Sequence, residues 1–178
     1  MKTLVVYYSR KGSNTFLAHK ISETLKCDIE EIKPRINTFL FILMNVNFGI
    51  KPLKNKIEYY DRIILCGPIF VGRFIPPLKR FVKKYKKHIK QLVFVTCCGS
   101  AFDKKDDKFG HGLVFEKVKN ILNSKCMHCE AFPIDLVLPE DQKNNDEAFM
   151  NTHLNDTNFN GEIQERFDQF IKRISELN

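Results

Sequence analysis

At 178 residues, with 43% hydrophobic and 28% charged side chains, the chain has the length of one globular domain and enough apolar residues for a layered core. Its 29 Lys and Arg exceed 21 Asp and Glu, for a formal net charge of +8. Much of the excess stands in LKRFVKKYKKHIK (78–90), where Leu78, Phe81, Val82 and Tyr85 recur at helical spacing, so the run reads as a solvated helix face and, with no nucleic-acid module beside it, argues against nucleic acid as a partner.

In chain order, Thr3 to Tyr8 reads as a buried strand, too short and too soon followed by polar residues to be a signal peptide, which predicts a cytoplasmic protein. SRKGSNT (9–15) follows as a loop, then Asn14 to Leu25 as an amphipathic helix with Phe16, Leu17, Ile21 and Leu25 inward, then Cys27 to Ile32 as a more exposed strand. Thr38 to Phe48 is apolar almost all round but too short to span a bilayer; core packing, a homodimer contact and an interfacial contact with membrane or a lipophilic substrate are its alternatives. RIILC (62–66) suits a central parallel strand stopped by Gly67 and Pro68, and Pro76-Pro77 open the basic helix, where proline is tolerated. Gln91 to Thr96 is predicted as the fourth strand, Gly112 to Leu122 as a helix and Glu130 to Leu138 as the fifth strand. Residues 139–160, rich in Asn and Asp, read as a long surface loop before a closing helix from Glu162 to Leu177.

Such an alternation implies a parallel sheet covered on both faces, with ligands beyond the carboxyl ends of its strands. Three loops leave those ends with distinctive chemistry: SRKGSNT, GPIFVGRF (67–74) and TCCGSAF (96–102). The first joins a strand to a helix through hydroxyls and a glycine. It reads either as a phosphate cradle of backbone N–H groups at a helix N-terminus or as an ordinary turn capped by Asn14 or Thr15.

In order and spacing, YYSRKGSNT, PIFVGRFIPPLKRF and FVTCCGS resemble the flavodoxin family over roughly residues 2–135. The resemblance implies a flavodoxin-like three-layer α/β/α sandwich with a five-stranded parallel sheet in the order 2-1-3-4-5, and flavin mononucleotide (FMN) as cofactor. It assigns the phosphate to Ser9, Arg10, Lys11, Gly12, Ser13, Asn14 and Thr15, the family's Gly-Asn-Thr standing here as Gly12-Ser13-Asn14 with Thr15 one place later. The flavin ring falls to Pro68, Ile69, Phe70, Val71, Gly72 and Arg73 on one side and to Thr96, Cys97, Cys98, Gly99 and Ser100 along its polar edge. Many relatives sandwich the ring with Trp and Tyr; this chain has no Trp and offers Phe70, Phe74 and Phe102.

Other constellations are weaker. Two of the six cysteines fall in predicted strands, which favours buried reduced thiols over a disulfide framework. Cys126-Met127-His128-Cys129 has the spacing of a zinc or dithiol site, but no second CxxC completes a tetrahedral set, and the adjacent Cys97 and Cys98 point apart on an extended segment. The five histidines show no metal-ligand spacing, and no Ser-His-Asp set is recognisable, so any chemistry falls to the flavin. The implied function is redox transfer through bound FMN, to a partner protein or a small-molecule acceptor. The alternatives are an NAD(P)H-dependent reductase of quinones or other small acceptors, and a flavin-free interaction module.

Overall fold

The computed structural model describes residues 1–36, 44, 48–99, 104–143 and 145–177. The strands are β1 (Thr3–Tyr7), β2 (Asp28–Glu31), β3 (Arg62–Cys66), the two-residue β4 (Ile69–Phe70) and β5 (Arg73–Phe74), β6 (Gln91–Cys98) and β7 (Cys126–Pro133). The α-helices are α1 (Ser13–Leu25), α2 (Pro76–Tyr85), α3 (Gly112–Leu122), α4 (Asp146–Asn151) and α5 (Glu162–Glu176). Five strands form one parallel sheet in the order β2-β1-β3-β6-β7, while β4 and β5 form an antiparallel hairpin. Counting only the main sheet, this is the order 2-1-3-4-5 that the flavodoxin resemblance implied.

The central strands are apolar at successive positions because both of their faces are covered. Leu4, Val6, Ile63, Leu65, Leu92 and Phe94 share one core with Leu78, Phe81 and Val82 of α2 and Val114 and Val118 of α3. The intervening Val5, Ile64, Val93 and Val95 share the opposite core with Leu17 and Ile21 of α1 and Phe167, Phe170 and Ile174 of α5. Each fully buried side chain of this kind contributes about 1.5–3 kcal/mol. At the sheet's amino end, the buried Arg62 guanidinium donates to the carbonyls of Ile174 and Leu177, satisfying groups that the end of α5 leaves open.

Several boundaries differ from the sequence expectation. β6 runs on to Cys98 because Cys97 and Cys98 pair with Phe132 and Pro133 of β7. β7 starts at Cys126 and ends at Pro133, which has no N–H to extend a ladder; Ile134–Val137 is a short 3-10 turn instead of strand. The segment read as a surface loop holds a 3-10 turn at Glu140–Gln142, then α4, and buries Leu154 and Phe159 in the core beside α1 and α5. Of the apolar 38–48 segment only Met44 and Phe48 are among the described residues, and both are exposed. No described helix is long and apolar enough to cross a membrane.

Candidate functional site

A cavity of about 570 Å³ opens at the carboxyl ends of β1, β3 and β6. Its size and mainly apolar lining suit a small organic ligand. Ser9, Arg10, Lys11, Ser13 and Asn14 form one wall; Pro68, Ile69, Phe70 and Val71 another; Cys97, Cys98 and Gly99 a third. The structure thus brings the three sequence-predicted loops to one place. Gly12, Thr15, Gly72, Arg73 and Thr96 shape or flank the loops without lining the cavity, and Thr96 is fully buried within β6. The expectations for Ser100 and Phe102 lie outside the described residues.

In the first wall, Gly12 has φ +100° and caps α1, its N–H donating to Ser9 Oγ at 3.2 Å. Phe16 N–H is the first helical donor, to Gly12 O at 2.9 Å. The backbone N–H groups of Ser13, Asn14 and Thr15 have no partner among the described residues, as the first turn of a helix requires. Side chains here are committed elsewhere. Ser13 Oγ accepts from Leu154 N–H at 3.2 Å, and Lys11 Nζ donates to Met150 O at 2.9 Å. Asn14 Nδ2 donates to Cys97 O at 3.1 Å while its Oδ1 accepts from Cys97 N–H at 2.9 Å. Backbone donors, and not the Ser13 and Asn14 side chains, are what this loop leaves available.

The second wall is a tight hairpin. Val71 and Gly72 occupy its corner with φ of 51° and 62°, the paired positive values of a turn that matches strand twist. A Cβ on Gly72 would stand 2.6 Å from Lys108 O, so the corner is docked on the 108–109 backbone, and Lys117 Nζ donates to Gly72 O at 3.1 Å. Arg73 is exposed beyond this corner.

At the third wall, burial pushes the Cys97 thiol well up, the neighbouring sulfurs of Cys98 and Cys66 adding to the effect, and burial alone raises Cys66. Both stay protonated thiols across the neutral range, which removes them as nucleophiles. Cys98 Sγ lies 3.8 Å from His111 Nδ1; as the next residue of β6 it faces away from Cys97, which packs in the core with α1 and α5.

Sequence reasoning missed a fourth wall: Lys104, Asp107, Phe109 and Gly110 from one loop, with Phe149, Met150, Thr152 and His153 from a strap around α4. Asn145 starts the strap helix, its Oδ1 accepting from Glu147 N–H at 2.9 Å and Ala148 N–H at 3.1 Å. That signal was present in the sequence as Asn145-Asp146-Glu147 ahead of an apolar pair. Its position over the cavity was not, because it depends on Phe149 lying against Gly99, where a Cβ would come within 2.9 Å of the ring.

The flavodoxin-domain family model matches residues 4–133, spanning β1 through β7 and all three sequence-predicted loops. The chain belongs to the flavodoxin domain family. No curated protein matches it. Among solved structures it is similar to a flavoprotein of Lactobacillus acidophilus NCFM in complex with FMN, at 19% identity and a TM-score of 0.57, covering 73% of this chain and 92% of that one. The apo-form of the flavoprotein from the same organism aligns at 20% identity and a TM-score of 0.55, covering 73% and 91%. A short-chain flavodoxin associated with a non-canonical PDU bacterial microcompartment aligns over 99% of this chain and 98% of its own, at 11% identity and a TM-score of 0.53. These likenesses establish a shared flavodoxin fold.

Proposed function

We propose that the cavity binds FMN and that the protein transfers electrons through it. The observation that carries this reading is the juxtaposition of the first turn of α1, its amides unpartnered among the described residues and opened by Gly12 at φ +100°, with one end of a largely apolar cavity of about 570 Å³ that Ser13 and Asn14 line. An anionic tail fits the amides and the positive end of the helix dipole, and a flat apolar ring fits the remainder. Membership of the flavodoxin domain family and the FMN complex of the Lactobacillus relative support the same ligand.

In this reading the amides of Ser13, Asn14 and Thr15 hold the phosphate, with Arg10 and Ser9 at its rim, and the role of Asn14's side chain is to fix the loop against β6. Phe70 and Val71 hold one side of the ring, the Cys97–Gly99 backbone its edge, and Phe149 and Met150 shield it from water. Bound FMN supplies one- or two-electron chemistry that no side chain of the site can. A net charge of +8 favours an acidic protein partner or a small acceptor over a basic partner.

Titrating flavin-free protein with FMN and following flavin fluorescence tests the ligand: saturable one-to-one quenching is expected, and its absence overturns the proposal. Gly12→Val separates conformation from crowding. A Cβ at Gly12 meets nothing within 4 Å, so the loss in FMN affinity comes from the φ a β-branched residue resists, about 1–3 kcal/mol. Anaerobic reduction of the loaded protein by NADPH within mixing time would point to a reductase, whereas reduction by dithionite or a protein donor alone supports a carrier.

A further inference from the structure

On the edge strand β7, at the opposite edge of the sheet from β2, Cys126 Sγ and Cys129 Sγ face each other at 3.6 Å. Residues three apart on a regular strand point to opposite faces. Here the register shifts: Cys126 pairs with Leu92 and His128 with Val93, leaving Met127 as an extra residue in β7. The bulge returns Cys129, opposite Phe94, to the face that Cys126 occupies, so both sulfurs pack on the core beside α2 and α3 while Met127 packs on the other. Both cysteines are free and partly exposed, unlike the buried Cys66, Cys97 and Cys98.

We propose that Cys126 and Cys129 are a thiol–disulfide exchange site, separate from the cavity, that reacts with low-molecular-weight or protein disulfides. The Cys126 thiolate attacks one sulfur of an external disulfide RS–SR. That S–S bond breaks, and the departing thiolate takes up a proton as RSH. Cys129 then loses its proton and attacks Cys126 Sγ in the mixed disulfide, releasing the second RSH. The two cysteines are oxidised by two electrons, and one external disulfide is reduced to two thiols.

The order of attack follows from the local charges. The hydrogen bond from Cys129 holds the Cys126 thiol below its ordinary value, against burial, with Lys119 of α3 adding its positive charge. The same hydrogen bond, burial and the charge of Cys126 push Cys129 up. Cys126 is thus the attacking sulfur and Cys129 the resolving one. Once Cys126 is a mixed disulfide, the charge that opposed Cys129 ionisation is gone.

The full chain, reduced and then equilibrated with oxidised glutathione, is the test, read by alkylation and mass spectrometry. It requires no flavin, so its result is independent of the proposed function. Expected are a chain lighter by two hydrogens, a Cys126–Cys129 linkage, a fall of roughly tenfold or more in alkylation at both, and full recovery with dithiothreitol. Cys129→Ser should accumulate one stable glutathione adduct at Cys126, because the resolving thiol is gone. A wild-type chain whose pair stays alkylatable overturns the proposal, as does one that collects stable glutathione adducts at both cysteines without linking them.

Discussion

The side chain of Asn14 is hydrogen-bonded twice to the backbone of Cys97, giving a proton to its carbonyl at 3.1 Å and accepting one from its N–H at 2.9 Å. The pair ties the first turn of α1 to the carboxyl end of β6 and is buried. Asn14→Ala removes both bonds and strands two buried backbone groups, so unfolding stability should fall by about 2–4 kcal/mol in urea denaturation. Asn14→Asp keeps the acceptor but loses the donor to Cys97 O, and should recover only part of that loss.

Val71 stands in the left-handed region at φ 51° although it is β-branched, and it is 45% exposed, so little packing depends on its side chain. Left-handed backbone costs such a residue about 1–2 kcal/mol. Val71→Asn should therefore raise stability by about 1 kcal/mol, read as a higher denaturant midpoint at unchanged slope. A loss of stability would show that the isopropyl group makes a contact worth more than the strain.

Phe149 rests against Gly99, at the point where the strap meets the third loop. If the strap shields the bound flavin, Phe149→Ala should weaken FMN binding by about 3–10-fold, from lost aromatic contact and ring exposure. Gly99→Ala should weaken it too, by displacing that ring. The double variant should lose less than the sum of the two, because the displaced ring is already absent.

Tyr60 is buried, with its hydroxyl 2.6 Å from Asp28 Oδ2 and 2.9 Å from Asn55 Oδ1. Burial first, then the hydrogen bond to Asp28 and the nearby carboxylate charges, push its hydroxyl up to about 12 from 10.0. Because the folded value is the higher, the unfolded chain loses this proton first. The stability contribution is complete below the unfolded value and is lost as pH rises toward about 12. Tyr60→Phe should be less stable at neutral pH, for want of the hydrogen bonds, yet show a shallower alkaline decline between 10.0 and 12 than the parent. Parallel declines would remove Tyr60 from the alkaline transition.

Three strand–loop–helix junctions were legible in the chain because local rules set them. Short β-branched runs such as Val5-Val6 and Ile63-Ile64-Leu65 suit strands buried on both faces, Pro76-Pro77 suit the first turn of a helix, and Gly12 suits a backbone position other residues resist. With a parallel sheet implied, the carboxyl ends of β1, β3 and β6 were the expected place for a site, and the resemblance of the three loops to the flavodoxin family implied FMN as its ligand. Local patterning thus accounts for the alternation of strands and helices, and the family resemblance for the strand order and the three loops that line the cavity. The rest came from the folded molecule alone, because it depends on contacts between residues far apart in the chain. Ser13 and Asn14 spend their side chains on Leu154 and Cys97, the strap of Phe149 and Met150 becomes a fourth wall by lying on Gly99, and a one-residue register shift against β6 turns Cys126 and Cys129 toward each other. Alternation within a strand predicts the opposite for that pair, and nothing in a window of β7 alone records the shift.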